Sequence, residues 1–93
     1  MWQAEVYVTL KGGVLDPQGE AIRTSLVALG FDSVGEVRVG KYLRVQVDAA
    51  DAAAAESKVD EMCRRLLANT VIEDYRLAVA PAPAATPAGG GGR

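Results

Sequence analysis

Eight residues near the start of the chain, AEVYVTLK (Ala4–Lys11), alternate without a break. Ala4, Val6, Val8 and Leu10 fall on one side, and Glu5, Tyr7, Thr9 and Lys11 on the other. A period of two marks a strand with one face covered and one face open. Such a strand needs other strands beside it and a second layer over its apolar face. A chain of 93 residues has room for one domain that supplies both.

Two segments of helical period offer that second layer. DPQGEAIRTSLVALG (16–30) carries both end signals, with Asp16 as N-cap, Pro17 at the first helical position and Gly30 to close the last turn. Its apolar stripe is Ile22, Leu26 and Leu29, with Ala21 and Ser25 beside them. DAADAAAAESKVDEMCRRLLAN (48–69) starts from Asp48 or Asp51 and ends near Asn69. Val59, Met62, Cys63, Leu66 and Leu67 follow the spacing of a buried helical face.

Between the helices, SVGEVRVGKYLRVQVD (33–48) reads as two strands turning at Gly40–Lys41. A two-residue turn would set Val39 against Tyr42 and mix valines with polar residues on one face. Shifting the pairing by one residue sets Val39 against Leu43 and Val37 against Val45, which predicts a three-residue loop or a bulge at Gly40. VIEDYRLAV (71–79) is the last strand, with Tyr75, Leu77 and Val79 inward. The order β-α-β-β-α-β predicts an α+β, two-layer sandwich: a four-stranded antiparallel sheet with both helices on one face, ferredoxin-like. Residues 1–79 form the domain, and APAPAATPAGGGGR (80–93) reads as a disordered tail.

Composition narrows the chemistry. Histidine is absent, which removes the commonest general base and transition-metal ligand. The only cysteine, Cys63, falls on an apolar stripe and reads as a packed thiol. Glu73 and Asp74 are neighbours on a strand and point to opposite faces. Asp60 and Glu61 precede Arg64 and Arg65 by four residues, the spacing of solvated helix pairs. No catalytic, cofactor-binding or metal-binding residue is therefore expected. A net charge of −2 lacks the basic footprint of a nucleic-acid binder. Neither a membrane-length apolar run nor an export signal is evident, so the expected compartment is the cytoplasm.

The stretch LKGGVLDPQGEAI (10–22) invites a phosphate-cradle reading, which fails on two counts. Lys11 precedes the glycines, and the helix opens on the acid Asp16, whereas a P-loop closes on Gly-Lys-Ser/Thr. Gly12 and Gly13 suit a turn, but Gly19 lies inside the helix, where glycine costs about 1 kcal/mol against alanine. An approach to the Gly19 backbone too close for a β-carbon, read as a contact with a partner protein, is the expectation. On the open sheet face, Tyr7, Thr9, Tyr42, Arg44 and Gln46 suit a dimer or sheet-packing surface. An RNA-stacking sheet is the less favoured reading, given the acidic charge and few aromatics. A small-molecule regulatory module of the same fold is a further alternative.

Taken in order, VYVTLKGGVLDPQGEAI, VRVGKYLRV and MCRRLLANTVIEDYRLAV resemble PurS, the small subunit of phosphoribosylformylglycinamidine synthase. The resemblance runs from about Val6 to Val79. It departs at Gly12 and Thr70, two loop positions where the family usually has proline. It implies a non-catalytic subunit of a glutamine-dependent, ATP-consuming carbon–nitrogen ligase of purine biosynthesis. ATP and magnesium would be held by the large synthetase subunit, and ammonia would be released by a glutaminase subunit. This chain would bridge the two as a homodimer or higher oligomer and support ammonia transfer. Lys11, Gly13, Asp16, Pro17, Gln18 and Gly19, the pair Gly40 and Lys41, and Asn69, Ile72, Glu73 and Asp74 are then the expected partner contacts.

Overall fold

The computed structural model describes residues 1–83. The elements are β1 (Trp2–Leu10), α1 (Pro17–Ala28), β2 (Gly40–Val47), α2 (Ala52–Met62) and β3 (Glu73–Pro81), with a turn of π-helix at Cys63–Leu67. The sheet is antiparallel in the order β2-β1-β3. The alternating strand is thus the central one, and its apolar face is the centre of the core. Ala4, Val6 and Val8 are buried with Val47, Ala55, Val59, Cys63 and Ala68. Leu43, Val45, Tyr75, Leu77 and Val79 close over this group from the flanking strands. Trp2 anchors the far end, its indole Nε1–H donating to the Ala49 carbonyl at 3.1 Å.

Both helix starts follow their capping residues. The Asp16 carboxylate accepts the Gly19 amide and the Asp51 carboxylate accepts the Ala54 amide. Gly30 takes φ 104° after the last turn of α1. Its amide and that of Phe31 return to the carbonyls of Val27 and Leu26, each at 3.0 Å, a Schellman closure.

Several expectations require correction. Among the described residues the sheet has three strands, not four, and no hairpin forms at Gly40. Residues 34–39 have no regular secondary structure and lead directly into β2, their backbone engaged by α1. The Val39 amide donates to Asp16 Oδ2 at 2.8 Å, and the Val37 carbonyl packs on Gly19. Val37 and Val39 therefore do not pair with Val45 and Leu43 in the same chain. The two helices do not share one face either. α2 covers the core, whereas α1 makes little contact with the sheet or with α2. Leu66 is 83 % exposed rather than buried, because the wider π-turn takes it off the α2 stripe. β3 begins at Glu73 and continues through Ala80 and Pro81, which pair with Gln3 and Trp2. From residue 84 onward, the expected tail lies outside the described residues.

Candidate functional site

The three segments singled out in the sequence meet at one end of the sheet. Register alone brings two of them there, since Thr9 is opposite both Gly40 and Asp74, and Leu10 is opposite Glu73. Lys11 continues from β1, its amide donating to the Ile72 carbonyl at 2.8 Å. Its ammonium pairs with Asp74 Oδ1 at 2.8 Å. Lys41 extends from β2 and donates to the Leu67 carbonyl at 3.1 Å, across the π-turn. Asn69 organises the remaining loop. Its carbonyl accepts the amides of Ile72 and Glu73, and its own amide donates to Glu73 Oε1 at 2.7 Å.

The glycine loop joins this end through a residue that sequence reasoning missed. Arg38 donates from Nη1 to the Val14 carbonyl at 2.9 Å and from Nη2 to the Lys11 carbonyl at 3.0 Å. No sequence signal marks it, because its partners are backbone carbonyls whose identity carries no code. Gly13 turns this loop with φ 86°. Pro17 and Gln18 are exposed on the first turn of α1, while Asp16 is buried, 6 % exposed. The Asp16 carboxyl is held below the ordinary aspartate value by the Val39 amide first and the Gly19 amide second, with Arg38 adding to them. It is a carboxylate spent on structure.

Gly19 and Gly40 are both places where a side chain has no room. A Cβ on Gly19 would collide with the Val37 carbonyl oxygen. On Gly40 it would lie 2.6 Å from the Val8 carbonyl oxygen. The close approach expected at Gly19 is thus made by the same chain.

The open sheet face carries its own cluster. Tyr7 is directly opposite Tyr42, with ring centroids 5.1 Å apart. The Arg76 guanidinium lies 4.3 Å from the Tyr7 centroid, a cation–π pair that sequence reasoning also missed. Arg44 is opposite Glu5, Gln46 opposite Gln3 and Thr9 opposite Gly40. Tyr7, Thr9, Tyr42 and Arg76 edge a shallow concavity of about 390 Å³ that reaches Lys41 and Asp74. Because Arg76 already covers Tyr7, a base could stack on that ring only by displacing it. Behind the sheet, Tyr75 donates to Asp60 at 2.6 Å and Arg64 donates to the same carboxylate at 2.9 Å. The Tyr75 hydroxyl and then Arg64 lower the Asp60 pKa, and Asp60 in turn raises that of Tyr75. Burial raises the pKa of Cys63, which leaves a protonated thiol in the core.

The chain is similar to known proteins over most of its length. The family described as "PurS: Phosphoribosylformylglycinamidine (FGAM) synthase" matches residues 3–81. The phosphoribosylformylglycinamidine synthase subunit PurS of Synechocystis sp. is 49 % identical over 74 residues, covering 80 % of this chain and 74 % of the relative. A crystal form of B. subtilis PurS superimposes with a TM-score of 0.78 at 46 % identity, covering 86 % of this chain and 99 % of that one. A chain in the structure of PurLQS from Thermotoga maritima superimposes with a TM-score of 0.76 at 28 % identity, covering 86 % and 99 %.

Proposed function

We propose, for a chain that belongs to the PurS family of phosphoribosylformylglycinamidine synthase subunits, that the clustered end of the sheet is the surface through which it joins its enzyme. The chain is a subunit of that glutamine-dependent, ATP-consuming ligase of purine biosynthesis, and it is non-catalytic by itself. In this reading it bridges the large synthetase subunit and the glutaminase subunit and supports ammonia transfer between them. ATP and magnesium belong to the large subunit. The chain acts as a homodimer or higher oligomer, and Tyr7, Thr9, Tyr42, Arg44 and Gln46 offer an amphipathic face for packing on protein. The cytoplasm is the proposed compartment, which suits a core that holds one unpaired thiol.

One observation carries the reading. Segments 24 to 63 residues apart in sequence are tied into one surface by Lys11–Asp74, Lys41–Leu67 and Arg38 on the glycine loop. None of these ties builds an acid–base or nucleophilic set. They fix the shape of a patch, as an assembly surface requires.

Reconstitution tests it. Synthetase and glutaminase subunits are assayed for glutamine-dependent turnover with and without this chain, and with Lys41→Ala and Asn69→Ala variants. Turnover should require the chain and fall with each variant. Full glutamine-dependent turnover without the chain overturns the proposal.

A further inference from the structure

β3 is an outer strand of the sheet, and β1 is its only neighbour among the described residues. The pairing fixes which of its backbone groups are used. The Lys11 amide donates to the Ile72 carbonyl at 2.8 Å, and the Ala82 amide donates to the Met1 carbonyl at 3.0 Å. Both continue the β1–β3 register, in which hydrogen-bonded pairs recur at every second residue. Asp74, Arg76, Ala78 and Ala80 therefore bond to β1. Tyr75, Leu77 and Val79 pack their side chains on the core and point their N–H and C=O groups off the free edge.

This edge lacks the usual blunting. The 9 residues of β3 pair with β1 in one unbroken register, with no bulge. Proline enters only at Pro81, on an outward position where its missing N–H costs the ladder nothing. Beside the edge, on the α2 side of the sheet, lies a trough of about 400 Å³. Ala53, Glu56, Ser57 and Asp60 line it from α2, and Tyr75 and Leu77 from β3. Asp60 is taken up by Tyr75 and Arg64. Glu56 is exposed and has no ion-pair partner among the described residues.

We infer that β3 receives an added strand from a partner protein, an extended segment carrying a lysine or arginine that reaches Glu56. The inference rests on the assembly reading above and names the kind of contact one enzyme partner makes. Main-chain bonds to Tyr75, Leu77 and Val79 hold such a segment, and its alternate side chains enter the trough. Charge selects the occupant. A second copy added antiparallel would set its own Glu56 and Asp60 against these, and like charges across a strand pair oppose pairing. A basic segment instead gives Glu56 the partner it lacks. The edge begins beside Asp74, which belongs to the clustered end of the sheet, so the two surfaces are continuous.

Hydrogen exchange on the full chain, alone and in the reconstituted complex, tests it. In the isolated chain the Tyr75, Leu77 and Val79 amides should exchange fast, and those of Arg76 and Ala78 slowly. In the complex the first three should become protected, which removes the alternation. Glu56→Lys, an exposed change on α2, should fold normally and lose co-elution with the complex. A complex with full turnover in which the three amides still exchange fast overturns the added strand and leaves the assembly reading standing. Turnover that needs no chain overturns both. Protection already present in the isolated chain assigns the edge to a second copy and overturns the inference. Unchanged co-elution of Glu56→Lys overturns the basic segment as occupant.

Discussion

The Asp16 carboxylate accepts the Val39 amide at 2.8 Å and so ties the start of α1 to the segment that enters β2. The same side chain caps the helix through Gly19, at 2.9 Å. One carboxylate thereby sets both the helix origin and the path of residues 34–39. Asp16→Ala should remove both bonds, whereas Asp16→Asn keeps an acceptor oxygen for one of them. Hydrogen exchange at the Gly19 and Val39 amides should accelerate in both variants and more in Asp16→Ala. The buried amides of β1 should keep their protection, since α1 makes little contact with the sheet.

Acid should act through the same residue. The folded pKa values of Asp16 and Asp60 lie below the ordinary 3.8, so the unfolded chain takes up their protons first as pH falls. Their stabilisation is complete above 3.8 and is lost as pH drops from there through the folded values. Denaturant midpoints should therefore decline below about pH 4. The decline should be shallower in Asp16→Asn, which has no proton to take up at that site. An equal slope in the two proteins would count against the Asp16 assignment.

Alkali should reveal the tyrosines in sequence. Tyr75 is raised above 10.0 by its bond to Asp60, and Tyr42 is raised by burial first and the Glu5 carboxylate second. An ultraviolet titration should show phenolate absorbance from these two appearing later than for free tyrosine. Stability linked to them is present below about pH 10 and lost as pH rises through the folded values. Asp60→Asn should bring the Tyr75 transition down towards the free value.

Lys11→Met separates folding from assembly. The Lys11 and Asp74 side chains are 40 % and 66 % exposed, and exposed pairs contribute about 0–1 kcal/mol. The denaturant midpoint should hardly change. Under the assembly proposal, turnover of the reconstituted enzyme should nevertheless fall. Unchanged turnover would remove Lys11 from the contact surface.

Gly19→Val and Val59→Ala should differ in kind. Val59 is fully buried in the core, and its truncation should lower stability by about 2 kcal/mol. Gly19→Val forces α1 away from Val37, at a cost of about 1–3 kcal/mol for overpacking, while the sheet stays intact. Gly19→Val should weaken assembly on a sizing column even where the isolated chain remains soluble.

What the sequence by itself determined is local. The period of two in Ala4–Leu10 made a central strand, and Asp16-Pro17 and Gly30 started and closed α1. Val59 and Cys63 marked the covered face of α2, because each of these signals acts over one turn or one pleat. The meeting of Lys11 with Asp74 was not legible, although both residues had been singled out, because sheet register decides it. The path of residues 34–39 was decided only in the tertiary structure. Alternation in VRVGKYLRV specifies which valines face each other, and it is the same whether the chain turns at Gly40 or runs on. The outcome depends on two backbone contacts with α1, at Gly19 and Asp16, and these exist only once the helix and the segment have come together.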